Sequence, residues 1–215
     1  MTARRVTPFE FLGETRDWAL GLPDDARVIL AIAGAPGSGK STLAGTIVDL
    51  IETAKVGTAA ILPMDGFHYD DHVLEPRGWR PRKGAPHTFD VGGFGVALGR
   101  IRANDEDEVA VPEFDRDLEI ARAGARIIPK SVRLIVVEGN YLLLDRPDWS
   151  GLRAHFDKTA FLEVDMDELS RRLTERWVSY SLSEAELRAK LDENDLPNAQ
   201  TVVDESAEPD VIVTS

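Results

Sequence analysis

The chain has 215 residues, a formal charge of −13 at neutral pH and no cysteine. That length allows one full α/β core, and the absence of thiols excludes disulfides, thiolate metal sites and a cysteine nucleophile. Acidity on this scale argues against a nucleic-acid partner, whose phosphates demand a basic face. No apolar run reaches the roughly 18 residues of a membrane span, and Arg4 and Arg5 are not followed by the apolar segment of a secretory signal. A cytoplasmic protein is the expectation, with no membrane partner.

Thr7-Pro8-Phe9-Glu10 combines a capping box with proline at the first helical position, predicting a helix to about residue 20 within an N-terminal unit of residues 1–24. Residues 27–33 are mostly apolar and suit a buried parallel strand. Gly34, Ala35, Pro36, Gly37, Ser38, Gly39, Lys40 and Ser41 then fit the pattern G-x-x-x-x-G-K-[ST], followed by Thr42. The glycines let backbone N–H groups curl around a phosphate chain, Lys40 can reach the β- and γ-phosphates, and the Ser41 hydroxyl can ligate Mg²⁺. Leu43, Ile47, Leu50 and Ile51 recur at helical spacing, so the loop opens a helix over residues 41–53 whose N-terminus favours anions. A nucleoside triphosphate is the implied ligand. The guanine-reading Asn-Lys-x-Asp motif is missing, which favours ATP over GTP and a kinase over a nucleotide-dependent switch.

Residues 58–63 read as a second strand, ending at Met64-Asp65-Gly66-Phe67-His68-Tyr69. A long irregular stretch follows to about residue 89, and loops of that length are usually functional. It makes residues 64–90 the candidate substrate loop. Asp65 is either a general base for an acceptor hydroxyl or a turn cap. His68, Tyr69 and His87 read as walls of a substrate pocket, whereas His68 and His72 lack the further ligands a zinc site needs. Arg77, Arg80, Arg82 and Lys83 form a basic cluster that either binds an anionic substrate or is a solvated loop surface. Asp90 precedes a glycine-weakened helix, and residues 109–114 are a candidate strand. Residues 132–137 form a strongly apolar strand stopping at Glu138, which either supports Mg²⁺ beside Ser41 or caps a neighbouring backbone. A strand at 159–164, a helix from about 167 to 180, a capping box at Ser183 opening a helix to about 193, and a strand at 210–213 complete the order. Trp79, Trp149 and Trp177 read as packing residues. Alternating strands and helices imply an α/β P-loop NTPase fold, a single domain with a parallel sheet covered on both faces and the ligand at the strand C-termini.

The phosphate loop, Asp-Gly-Phe-His-Tyr (65–69), Gly-Ala-Pro-His-Thr-Phe-Asp (84–90), Val-Pro-Glu-Phe-Asp-Arg (111–116) and Val-Val-Glu-Gly-Asn-Tyr (136–141) occur in one order. Together they resemble the P-loop small-molecule kinases that include phosphoribulokinase, uridine kinase and type I pantothenate kinase. Within that group the chain is most similar to bacterial fructose transport-system kinases. The resemblance implies a catalytic base at Asp65, a metal-side acid at Glu138 and substrate contacts at Asp115 and Arg116. It further implies a lid over about residues 167–195 bringing arginines to the phosphates; Arg172 and Arg176, four apart on one helical face, are favoured over Arg171. A solvated, salt-bridged helix face is the competing reading of these arginines. Asn198 is implied at the nucleotide base. The implied reaction is ATP- and Mg²⁺-dependent phosphorylation of a small metabolite, a sugar such as fructose first, and pantothenate or a nucleoside second. The apolar face of the N-terminal helix would suit a homodimer.

Overall fold

The computed structural model describes residues 3–178 and 183–214. Six parallel strands form one sheet in the order β1 (Arg4–Val6), β8 (Val211–Thr214), β7 (Lys158–Glu163), β2 (Val28–Gly34), β6 (Leu134–Gly139) and β3 (Ala59–Pro63). The two central strands, β2 and β6, are near-continuous apolar runs because both of their faces are covered. Strand alternation divides their side chains between two cores. Leu30, Ile32, Leu134 and Val136 pack with Phe11 of α1 (Pro8–Leu20) and with Ala44, Ile47 and Ile51 of α2 (Lys40–Ala54). Ile29, Ala31, Ile135 and Val137 pack on the other face with Phe94, Leu98 and Ile101 of α4 (Val91–Ala103). That second core also takes Leu169 of α6 (Met166–Val178) and Ala199 and Val202 of α8 (Leu196–Glu205).

Register fixes the working edge. Ala33 lies opposite Gly139 and Pro63 opposite Glu138, so β2, β3 and β6 end level with one another. The phosphate loop, the turn carrying Asp65, and Glu138 therefore emerge side by side.

Several elements differ from the sequence expectation. Residues 64–90 are not irregular. Tight turns at Met64–Phe67, Glu75–Arg77, Arg80–Arg82 and Pro86–Thr88 flank the short helix α3 (Asp71–Leu74), and a bridge pairs His68 with Phe89. The strand expected at 109–114 is half of an antiparallel hairpin, β4 (Glu108–Asp115) with β5 (Ile120–Pro129), with a register shift between Val111 and Glu113. β5 escaped notice because it is almost entirely solvent-facing, with Ile128 its one buried side chain. β1 escaped because it is a three-residue edge strand whose two arginines are exposed. The helix opened by the Ser183 capping box, α7 (Glu184–Lys190), continues through a π-helical turn, Leu191–Asp195, into α8. Pro197, which cannot donate a backbone hydrogen bond to the preceding turn, closely follows that π-helical turn. The expected end of the preceding helix at Tyr180 lies outside the described residues. In α1, Phe11 and Ala19 are buried and Phe9 remains 86% exposed.

Candidate active site

The phosphate loop turns on Gly39, the residue before α2, whose φ of 94° is open to glycine and strained for other residues. Gly34 closes the loop's base: a Cβ there would lie 2.8 Å from Ser38 Oγ and 3.0 Å from the Leu162 carbonyl. Pro36, Gly37, Gly39, Lys40, Ser41 and Thr42 line a cleft of about 360 Å³, while Gly34, Ala35 and Ser38 are buried behind it. Ser41 Oγ donates to Glu138 Oε2 at 3.0 Å. Arg172 clasps the loop from α6, donating through one terminal nitrogen to the Ser38 carbonyl at 3.1 Å and through Nε to Glu168 at 2.7 Å. Arg176 lines the same cleft, whereas Arg171 pairs with Glu168 and Glu175 on the outer face.

Charge is finely set at the strand ends. Burial pushes the Lys40 ammonium below its usual range although Glu138 and Asp65 pull it up. Burial likewise pushes the Glu138 carboxyl up, against the opposing Lys40 charge. At Asp65 burial raises the carboxyl, but charge on His68, Arg116, Lys40 and Arg176 lowers it further, and the lowering wins. Burial also pushes the His68 imidazole down, against the pull of the Asp65 carboxylate. Asp65 is thus an ionised carboxylate facing the phosphate loop.

Around Asp65 a second half of the cleft is built by the 64–90 segment and the hairpin. Arg116, in the turn after β4, donates to Asp65 Oδ2 at 2.7 Å. His68 Nδ1 lies 2.7 Å from the Asp65 carbonyl, and its ring sits between Phe89 and Phe114, at centroid distances of 4.0 and 4.7 Å. Arg80 Nε and Lys83 Nζ share the Asp71 carboxylate at 2.6 and 2.7 Å, and Lys83 also reaches the Glu119 carbonyl at 2.6 Å. The base of this segment is tied down by Tyr141, whose hydroxyl donates to the Gly84 carbonyl at 2.7 Å, and by Asn194, which donates to the Lys83 carbonyl at 2.9 Å.

The structure thus brings Lys40, Ser41, Asp65, His68, Arg80, Arg116, Glu138, Arg172 and Arg176 together. Three expected substrate residues go elsewhere. Tyr69 follows His68 in extended backbone, so its side chain takes the opposite side. With His87, Arg77 and Trp79 it lines a different cavity. Asp115 closes the hairpin turn, accepting from the backbone of Asp117 and Leu118 and from Arg122. Asn198 does line the cleft, but its amide accepts from Arg82 at 3.1 Å and donates to Asn194 at 3.1 Å, on the wall formed by the 80–84 segment. The basic cluster divides: Arg80 and Lys83 face the cleft, and Arg77 stacks over Tyr69 and Trp79 behind it. Lys83, Phe114, Asn140 and Asn194 line the cleft without having been singled out as site residues. Lys83 belonged to the cationic run, Phe114 and Asn140 lay within the segments 111–116 and 136–141 that carry the resemblance, and Asn194 opens the polar stretch that ends at Asn198.

No protein-family model matches the chain. A fission yeast (Schizosaccharomyces pombe) protein provisionally named a uridine kinase is 32% identical over 200 residues, covering 89% of this chain and 85% of the relative. A solved structure from Silicibacter sp. TM1040, provisionally named a fructose transport system kinase, superposes with a TM-score of 0.86 at 38% identity, covering 96% of this chain and 98% of its own. A Listeria monocytogenes pantothenate kinase is 27% identical over 168 residues, with 77% of this chain matched to 54% of that enzyme. With a phosphate loop at the head of a parallel sheet and an ionised aspartate facing it, the chain belongs to the P-loop small-molecule kinases. It is an ATP-dependent phosphotransferase acting on a small-molecule hydroxyl. Among the described residues no helix is long and apolar enough to cross a membrane.

Proposed function

We propose that this kinase transfers the γ-phosphoryl group of Mg-ATP to a hydroxyl of a polyhydroxylated metabolite, a sugar such as fructose in the first instance. The observation that carries the reading is the convergence of Lys40, the Ser41–Glu138 pair and the Asp65–Arg116 pair on one cleft. The loop amides and Lys40 hold the phosphates, and Arg172 and Arg176 face the side on which negative charge builds. Ser41 and Glu138 are hard oxygen donors already in contact, a donor set that suits Mg²⁺. Bound Mg-ATP supplies the phosphoryl group and a counter-charge for it. Asp65 accepts the proton as the acceptor oxygen bonds to the γ-phosphorus and the bond to the β,γ-bridging oxygen breaks, releasing ADP. Its depressed pKa keeps it in the proton-accepting form, while Arg116 fixes which oxygen faces the acceptor.

Pantothenate and nucleosides are the competing acceptors. An ADP-release assay across sugars, sugar derivatives, pantothenate and nucleosides tests the reading. Acceptor-stimulated turnover should vanish in Lys40→Ala and fall by ~10²–10⁴-fold in Asp65→Asn, the typical worth of a general base, with ATP binding retained in Asp65→Asn. Turnover of Asp65→Asn at the wild-type rate would refute the base assignment.

A further inference from the structure

With Arg82 beside it, the acceptor half of the cleft holds Arg80, Arg82, Lys83 and Arg116 against the carboxylates of Asp65, Asp71 and Glu119, in a chain whose net charge is −13. Arg80, Lys83 and Arg116 line it. Asp65 serves Arg116, and the single carboxylate of Asp71 is divided between Arg80 Nε and Lys83 Nζ. The two terminal nitrogens of Arg80 make no hydrogen bond among the described residues. Beside them Arg82 is held by the neutral amide oxygens of Asn194 and Asn198 and has no carboxylate partner among the described residues. Lys83 is withdrawn from water, its side chain only 6% exposed, so its charge is weakly screened. Surface acidity serves solubility wherever it falls, but a local cationic excess at the mouth of a cleft focuses anions there.

A second observation points to a hydroxyl-bearing ligand at the same place. Asn140 lines the cleft, and its Oδ1 is buried without any hydrogen-bond partner. A buried amide oxygen left bare is costly and calls for a donor such as a ligand O–H. The aromatic rings of His68 and Phe114 close the side between these polar groups.

We propose that the acceptor is itself an acid, carrying a carboxylate or a phosphate on the same molecule as the hydroxyl that is phosphorylated. Its anionic group sits against Arg80 and Lys83, with Arg82 adding to the local field, while a hydroxyl donates to Asn140 Oδ1. The inference rests on the kinase reading and moves its first acceptor from a neutral sugar to a sugar acid or sugar phosphate. A neutral sugar would leave the Arg80 terminal nitrogens unused, whereas a sugar acid or sugar phosphate would engage them.

Matched pairs of acceptors test this in the ADP-release assay: glycerol with D-glycerate, D-glucose with D-gluconate, and D-fructose with D-fructose 6-phosphate. The first two pairs isolate the carboxylate and the third the phosphate. The anionic member of at least one pair should have a kcat/KM higher by about tenfold to a hundredfold, the range for one charge-assisted contact. Arg80→Gln and Lys83→Met should each erase most of that ratio by raising KM for the anionic member. A merely structural Arg80–Asp71–Lys83 tether would instead lower kcat for all acceptors alike. Preference for the neutral member in every pair overturns the proposal, as does a preference that survives both substitutions or turnover of no anionic member. In those cases Lys40-dependent ATP binding, measured separately by calorimetry, keeps the kinase reading standing. Loss of that binding would count against the kinase reading itself.

Discussion

Replacement of Gly66 by alanine tests how the two halves of the cleft are joined. An ideal Cβ on Gly66 would lie 2.4 Å from the Pro112 carbonyl oxygen, 2.7 Å from its carbon and 3.1 Å from the Glu113 nitrogen. All three are backbone atoms at the register shift of β4, so no side chain can rotate away. Ordinary contact begins at 3.4 Å, so the Met64–Phe67 turn and the hairpin must part by about 1 Å, an overpacking whose cost is typically ~1–3 kcal/mol. Because only backbone can yield, the upper end applies, and for a chain of this size ~3 kcal/mol lowers the melting temperature by about 6–12 °C. Gly45→Ala is the matched control. Gly45 lies inside α2, and a Cβ added to it would meet nothing within 4 Å, so the same methyl should stabilise by about 0.5–1 kcal/mol. Differential scanning fluorimetry reads both. Because Asp65 precedes Gly66 and Arg116 follows the hairpin strand, their 2.7 Å contact should also break, lowering kcat. Melting of Gly66→Ala within about 2 °C of the wild type would refute the reasoning.

Three further outcomes follow from the site. Since the Lys40 pKa lies below its usual value in the free enzyme and bound phosphates restore its charge, nucleotide binding should take up protons and weaken as pH rises through that lowered value. Calorimetry in buffers of different ionisation enthalpy detects the uptake, and affinity constant up to pH ~10.4 would contradict it. Tyr141→Phe removes the donor to the Gly84 carbonyl without changing the packing, so stability should fall by about 1–3 kcal/mol; an unaltered denaturant midpoint would show that the bond is dispensable. Glu168, hydrogen-bonded by Arg171 and Arg172, is held down at about 2. The tether it gives Arg172 is therefore fully present above the unfolded value of ~4.3 and lost only as pH falls through the folded one. Carboxyl NMR should find its midpoint below those of unpaired glutamates, and a midpoint of ~4.3 would deny the tether.

Much of this architecture was legible because its physics is local. The strand–loop–helix of residues 28–54 declares itself through an apolar run, three glycines and a helical repeat. The capping boxes at Thr7 and Ser183 likewise mark helix starts that the structure shows. Asp65 and Glu138 could be placed at strand ends because the strands before them are unmistakable. What escaped depends on long-range placement. Whether Tyr69 or His68 faces Asp65 is a matter of one residue's alternation in a segment pinned by its bridge to Phe89. Asp115 looked like a substrate contact, yet its carboxylate is consumed by the turn it closes, a choice that only β5 reveals. Lys83 and Arg77 are equivalent as members of a cationic run and are separated only by the folding of the turns between them.

The level ends of β2, β3 and β6 have a bearing on how such enzymes diversify. The phosphate loop, Asp65 and Glu138 issue from strands whose register is locked by two cores, where an insertion of one residue would swap side chains between those cores. The surfaces proposed to meet the acceptor belong to short turns and a two-stranded appendage outside that sheet. Changes in the appendage that keep the Arg116–Asp65 contact can therefore reshape the acceptor side without disturbing the strand ends that carry the phosphate loop.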